Sequence, residues 1–208
     1  ARVHLASGTT LDADQVVLAT GNEAPAELPG SERVSTHPAW CGNPWLDWTT
    51  RLPAKGEVVL LGTGLTTVDA VVTLLALGWR GPIHAISRNG WLPESHFKGV
   101  EDPLFPPVGV DLATLGLGEL AKLMEQHCAR LRAAGLNPAM VVDKLRPHTQ
   151  RIWKAFTDAE RREFIARYAA RWSVLRHRIA PSIHAQLAAA QRSGQLRITR
   201  AAVTGVQA

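Results

Sequence analysis

The sequence predicts an α/β fold in which a parallel sheet carries a large helical insertion, and one segment near the middle leads to this prediction. Residues 57–61 (EVVLL) form a short, continuous apolar run, as expected of a parallel strand covered on both faces. A glycine-rich turn follows, and then an apolar pattern of helical spacing runs from Leu65 to Gly78. Residues 83–87 (IHAIS) predict a second strand. Strand, turn, helix and strand within about 30 residues form a βαβ unit.

Four more helices are predicted after this unit, followed by a last strand. The third of them begins at a capping box formed by Thr157 and Glu160. Residues 195–199 (QLRIT) predict a third parallel strand, reached through a long helical crossover. The other three helices are predicted over 117–135, 138–145 and 181–194. The predicted buried face of the third helix comprises Phe164, Ile165, Tyr168 and Trp172.

The first 56 residues predict a hairpin, a strand and a connection. Val3 and Leu5 alternate with polar residues before the turn at 7–10 (SGTT), and residues 16–19 (VVLA) predict a buried strand that follows the hairpin. Residues 22–56 are rich in proline and tryptophan, which indicates a structured connection that packs onto other parts of the protein.

Composition places the chain among ordinary globular proteins. Of its 208 residues, 46% are hydrophobic and 20% are charged, which argues against disorder. It has no apolar run of about 18 residues and no leader-like start, so we expect a cytoplasmic protein without a membrane partner. Cys41 and Cys128 lack zinc-type spacing, so we predict no metal and interpret both as buried reduced thiols.

The turn between the first predicted strand and helix has the residues that a dinucleotide needs. Its pyrophosphate requires backbone N–H donors and the positive end of a helix dipole, with no side chain in the way. Gly62 permits the tight turn, Gly64 lets the main chain approach the phosphates, and threonine replaces the third glycine of the usual fingerprint. We therefore predict a Rossmann-like NAD(P)-binding domain whose cofactor contacts include Gly62, Thr63, Gly64, Leu65, Thr66 and Thr67.

The end of the second predicted strand favours NADP(H) over NAD(H). An NAD-specific site usually presents an acid to the ribose hydroxyls about 20 residues after the glycines. Here Ser87 and Arg88 stand at that place. A guanidinium binds phosphate oxygens in a forked, charge-assisted pair, which suits the 2′-phosphate of NADP.

Several segments resemble a known class of flavoprotein. Ala19, Thr20 and Gly21 resemble the Ala-Thr-Gly strand that joins the flavin domain of two-dinucleotide-binding flavoproteins to an inserted NAD(P)H domain. Nearly the whole chain is similar to bacterial FAD/NAD(P)-binding proteins of a hydroxylase-like group. The resemblance is carried by residues 61–69 (LGTGLTTVD), 81–93 (GPIHAISRNGWLP), 146–153 (RPHTQRIW) and 176–181 (RHRIAP).

The resemblance implies an FAD-dependent oxidoreductase that transfers hydride from NADPH to flavin, with hydroxylation of a small-molecule substrate as one outcome. The cofactors carry that chemistry. The superfamily's N-terminal FAD motif is absent, so we expect a central fragment that does not hold FAD alone and depends on the rest of its flavin domain. The expected division is a partial flavin-domain segment over 1–30, a connection over 31–56, the NAD(P) domain over 57–200 and a return to the flavin domain over 201–208. Within the NAD(P) domain we expect the βαβ core at 57–88, a loop at 89–110, the crossover at 111–194 and the strand at 195–200.

Two questions stay open at this stage. His96, in the loop at 91–110, is a candidate acid, base or substrate contact, although a loop-stabilising hydrogen bond is the commoner role. Residues 144–180 are basic, which allows an alternative reading as a non-enzymatic nucleotide-binding module with a surface for nucleic acid or protein. The arginines there lack a groove-entering motif, so we do not expect nucleic acid. A protein partner would use Trp153 and Trp172 as exposed anchors.

Overall fold

The computed structural model describes residues 1–19, 21, 23–97 and 105–207. The chain divides into two compact units. The first comprises Ala1–Leu52 with Gly205–Ala208, and the second comprises Pro53–Thr204.

A short antiparallel hairpin begins the first unit, as the sequence predicts. Strand β1 (Arg2–His4) pairs with β2 (Thr10–Asp12), and the amide of Leu5 donates to the Thr9 carbonyl at 2.9 Å to close the turn. An ion pair between Arg2 Nε and Asp12 Oδ1 at 2.7 Å joins the strand ends.

The predicted buried strand over 16–19 is wrong. These residues form no strand, and the side chains of Val17 and Leu18 are 85% and 86% exposed. An apolar run becomes a buried strand only where other strands pair with it and a second layer covers it. No strand among the described residues of this unit pairs with the run, since the hairpin ends at Asp12.

The prediction that both cysteines are buried is wrong for Cys41, which is exposed, whereas Cys128 is buried as expected. Cys41 lies in an irregular segment where its Sγ donates to the Asn43 carbonyl at 3.1 Å. The expected packing of the tryptophans in this connection also fails for Trp45, which is 64% exposed. Both residues lie outside helices and strands, in a segment of turns, and such segments usually run over the protein surface.

A three-stranded parallel sheet organises the second unit. Its strands lie in the order β3 (Val58–Leu61), β4 (Ile83–Ser87) and β5 (Leu196–Arg200), which confirms the three predicted parallel strands. Ile83 and Ala85 are fully buried.

Coverage of β3 on both faces was predicted, and this is wrong. Val59 and Leu61 on β3 are 53% and 36% exposed. The strand lies at the edge of the sheet, and its alternating burial shows that only one of its faces is covered.

Seven helices accompany this sheet in the described part of the second unit. Helix α1 (Leu65–Ala76) follows β3 and ends before Gly78, whose φ of +77° is the left-handed conformation expected there. Helix α1 packs beside α7 (Pro181–Arg192), which also packs on β5. The remaining helices are α2 (Gly116–Ala133), α3 (Met140–Leu145), α4 (Thr149–Ala155), α5 (Asp158–Glu163) and α6 (Ala169–Arg176).

The helical insertion follows the predicted pattern with two differences. The capping box of Thr157 and Glu160 opens α5 as predicted, but the sequence did not predict α4. The buried position predicted for Ile165 is wrong, because this side chain is 64% exposed. Residues Phe164–Tyr168 form a π-helical turn, which holds more residues per turn than an α-helix and so displaces the face calculated from a 3.6-residue period.

None of the helices within the described ranges combines the length and the apolar character that a membrane span requires.

Candidate functional site at the carboxyl ends of the strands

The glycine turn leaves β3 through a conformation that favours glycine. Gly62 has a φ of +116°, and its amide donates to the Ile86 carbonyl of β4 at 2.8 Å. A side chain at this φ would be strained, so glycine permits the chain to bend from the strand into α1.

Gly64 stands at the N-cap of α1 and leaves an open approach to the helix. Its backbone is extended (φ −82°, ψ −167°), and no side chain caps the helix. A Cβ added at Gly64 would meet no heavy atom within 4 Å. Gly64, Leu65 and Thr66 are exposed, so the first-turn amides of α1 face accessible space. Unsatisfied amides at the positive end of a helix dipole attract an anion.

The other two threonines of the turn use their hydroxyls within the protein. Thr63 Oγ1 lies 2.8 Å from Ser87 Oγ, and Thr67 Oγ1 donates to the Gly62 carbonyl at 2.9 Å. Thr63 and Thr67 are only 8% and 7% exposed. Their side chains therefore fix the shape of the turn, and the exposed residues of the turn are Gly64, Leu65 and Thr66.

Ser87 and Arg88 lie where β4 ends, beside the glycine turn. Ser87 Oγ, besides its contact with Thr63, accepts a hydrogen bond from the Gly90 amide at 3.0 Å. The structure therefore brings Ser87 to the glycine turn, and the Ser87 hydroxyl is engaged in holding the two loops together. Arg88 is exposed at the same end of the sheet.

A second arginine that sequence reasoning missed lies at this edge. Arg200, the last residue of β5, pairs in register with Ser87 and is exposed. A Cβ added at Gly90 would lie 3.2 Å from the Arg200 Cβ, so the loop after β4 passes directly over this residue. The available signal was the rule that carboxyl ends of parallel strands meet at one edge. Arg197, on the same strand, lies near the opposite end, with its Nη2 3.8 Å from Glu57 Oε1.

The remaining predicted site residues are His96, Ala19, Thr20 and Gly21. His96 is exposed, and its backbone amide donates to the Ile179 carbonyl at 2.8 Å, so the hydrogen bond that stabilises this loop comes from the main chain. Residues 98–104 of the predicted loop lie outside the described residues. Ala19 and Gly21 belong to the first unit, where Ala19 is exposed, and Thr20 lies outside the described residues.

Four arginines of the basic segment 144–180 contact aromatic rings of the protein itself. The guanidiniums of Arg161, Arg167 and Arg171 lie over the rings of Trp153, Tyr168 and Trp91 at 5.8, 5.6 and 5.3 Å, and that of Arg178 lies 4.6 Å from the Phe97 centroid. All four are cation–π contacts between residues of the same chain. Trp153 is 40% exposed, and Trp172 is half-buried against the helical core.

Comparisons of the chain with protein-family models, with curated proteins and with solved structures found no match. The class that the described structure defines is an α/β protein with a three-stranded parallel sheet and several helices.

Proposed function

We propose that the second unit is a Rossmann-like domain that binds NADP(H) as part of an FAD-dependent oxidoreductase. The observation that carries the proposal is the open approach to the amides at the start of α1, beside a glycine with no atom near its missing Cβ. The resemblance of the glycine turn and of the 81–93 segment to flavin-dependent proteins supplies the reaction class.

The residues at this edge suit the cofactor. A diphosphate needs donors rather than side-chain bulk, and the first turn of α1 offers exposed amides without a side-chain cap. Arg88 and Arg200 are both exposed at the ends of neighbouring strands, and two guanidiniums suit a 2′-phosphate better than they suit free ribose hydroxyls. The sequence predicts Ser87 and Arg88 for this role. In the structure the Ser87 hydroxyl already contacts Thr63 and Gly90, so we assign the 2′-phosphate to Arg88 and Arg200.

When bound, NADPH supplies a hydride and FAD accepts it; the residues of this chain contribute binding and orientation. The α1 amides would bind the pyrophosphate, and the two arginines would select the phosphorylated ribose. The Thr63–Ser87 contact would hold the loops on which these groups depend at a fixed separation.

The test is calorimetric titration of the protein with NADPH and, separately, with NADH. We expect NADPH to bind more tightly than NADH. Arg88→Ala and Arg200→Ala should each lower the affinity for NADPH by about tenfold, because each removes one charge-assisted contact. Neither variant should change the affinity for NADH. Arg197→Ala is the matched control, because it removes an exposed arginine from the same strand near the sheet's other end. Failure of NADPH to bind, or equal effects of all three variants, would overturn the proposal.

A further inference from the structure

The core of the helical insertion contains a cavity of about 580 Å³ that the nucleotide site does not use. This volume lies within the range of small-molecule binding pockets, roughly 300–1,000 Å³. Buried aliphatic side chains from three helices form part of its wall, namely Leu117, Leu120, Leu145 and Ile152. Five aromatic rings also line it, those of Trp153, Phe156, Phe164, Tyr168 and Trp172.

Charged groups also line this cavity. Arg132 and Arg171 contribute guanidiniums, and Glu125 contributes the one carboxylate among the lining residues. All three act electrostatically on the buried Cys128 thiol: the two arginines lower its pKa and Glu125 raises it, although burial dominates and the pKa of Cys128 is raised. The balance of charge around the apolar space is therefore positive by one unit.

Arg171 is held in place from outside the helical core. Its guanidinium lies 5.3 Å from the centroid of the Trp91 ring, a cation–π contact with the loop that follows β4. A guanidinium supported in this way keeps its donors in a fixed region, which favours a ligand with a planar anionic group.

We propose that this cavity binds a small amphipathic carboxylic acid, with its apolar body among the aliphatic and aromatic side chains and its carboxylate toward Arg171 and Arg132. Apolar enclosure favours an alkyl or aromatic body, and the excess positive charge favours a single anionic group. A nucleotide is a poor fit, because its many polar groups would lose their hydrogen bonds to water against this wall. The inference does not depend on the proposed NADP(H) site, which lies at the ends of the strands.

The first experiment uses 1-anilinonaphthalene-8-sulfonate, an aromatic anion whose fluorescence rises in apolar surroundings. The probe is bound to the folded protein and displaced with decanoate or with decanol. We expect decanoate to displace it at lower concentration than decanol. Arg171→Gln should lower the affinity for decanoate by about tenfold, because it removes one charge-assisted contact, and should leave the affinity for decanol unchanged. Arg167→Gln is the matched control, because this exposed arginine also stacks on an aromatic ring but does not line the cavity.

A second variant tests the cavity without removing a charge. Ala121 lines the cavity from α2, so Ala121→Trp should fill part of the space and abolish displacement by decanoate. Ala129→Trp places the same side chain at an exposed position of the same helix and should leave binding intact. Far-UV and near-UV circular dichroism verify that both variants are folded.

A chemical readout covers the case in which Ala121→Trp does not fold. Cys128 lines the cavity, whereas Cys41 is exposed in the first unit. Modification of each thiol by N-ethylmaleimide is measured by mass spectrometry. Decanoate should slow the modification of Cys128 and leave that of Cys41 unchanged. The proposal is overturned if decanoate protects neither thiol or both equally, if decanol binds as tightly as decanoate, or if Arg171→Gln and Arg167→Gln behave alike. NADPH titration of the same samples reports separately on the nucleotide site.

Discussion

Two glycines of one turn should lose different amounts of stability when the same methyl group is added to each. Gly62 has a φ of +116°, so Gly62→Ala forces an L residue into a sparsely populated conformation, at a cost of about 1–3 kcal/mol. Gly64 has a φ of −82° and no heavy atom within 4 Å of an added Cβ. Gly64→Ala should therefore destabilise the protein by less than about 1 kcal/mol, the difference between glycine and alanine at an N-cap.

These costs translate into different expected ranges for the fall in melting temperature. In a domain of this size, 1 kcal/mol shifts Tm by about 2–4 °C. Gly62→Ala should lower Tm by about 2–12 °C, and Gly64→Ala by less than about 4 °C, measured by circular dichroism. Gly118→Ala is the control for both, since Gly118 lies in α2, has an ordinary φ and also has no atom within 4 Å of its added Cβ.

The affinity for NADPH should rank the glycine variants in a different order from their melting temperatures. The methyl group of Gly64→Ala occupies the space through which a pyrophosphate would approach the α1 amides, so we expect NADPH affinity to fall by at least about tenfold, a cost of 1.4 kcal/mol. Gly118→Ala should bind NADPH like the parent protein. If Gly64→Ala also binds like the parent, the amides of this turn do not hold the pyrophosphate. If Gly62→Ala melts like Gly118→Ala, the turn does not depend on a positive φ.

Two further predictions concern the helical insertion. The amide of Leu117 donates to Glu160 Oε1 at 2.8 Å, and this bond is the largest cause that lowers the pKa of Glu160 below its ordinary 4.5. A carboxyl with a lowered folded-state pKa stabilises fully above its unfolded pKa and loses that stabilisation as pH falls through the folded value. The Tm difference between the parent and Glu160→Gln should therefore be largest at neutral pH and shrink below about pH 4.5, and a difference independent of pH would contradict this. The Arg178 side chain is only 6% exposed, and its Nη2 lies 2.7 Å from Asp143 Oδ1. Asp143→Asn therefore leaves a buried guanidinium without the negative charge that pairs with it. We expect a loss of about 1–3 kcal/mol in urea unfolding, reduced because the Asp143 side chain is 37% exposed, against less than about 1 kcal/mol for Glu163→Gln in an exposed pair.

Periodicity predicted the elements whose signals are local. The β3–α1–β4 unit, the capping box at Thr157 and the last strand all follow from residue order within short windows. Two of the failures share one cause, because each depends on what lies opposite the segment. Among the residues that the structure describes, no strand pairs with the exposed Val17, and Val59 lies on a face of the sheet that leaves it exposed. Ile165 is exposed for a different reason, since the π-helical turn interrupts the regular spacing on which the prediction relied.

The candidate nucleotide site could be located because it is made mainly of backbone. Glycine admits both the φ of Gly62 and the open approach at Gly64. Two glycines between a predicted strand and a predicted helix therefore mark the turn in the sequence. The role of Ser87 could not be predicted in the same way, because its contact with Thr63 joins residues 24 positions apart. Arg200 comes from a strand more than a hundred residues beyond the glycine turn, and only the sheet register brings it to Ser87.

The cavity in the helical insertion illustrates the opposite case, a site built from side chains whose residues have no distinctive pattern. Each apolar residue in its wall has the spacing of an ordinary helix core, and the sequence analysis assigned Phe164, Tyr168 and Trp172 to that core. Whether such residues meet or leave a space depends on the angles between helices, which residue order does not encode locally. The sequence did show the arginines, as an excess of basic residues over 144–180. Two of them make contacts within the protein: Arg178 pairs with Asp143, and Arg171 stacks on Trp91 at the wall of the cavity.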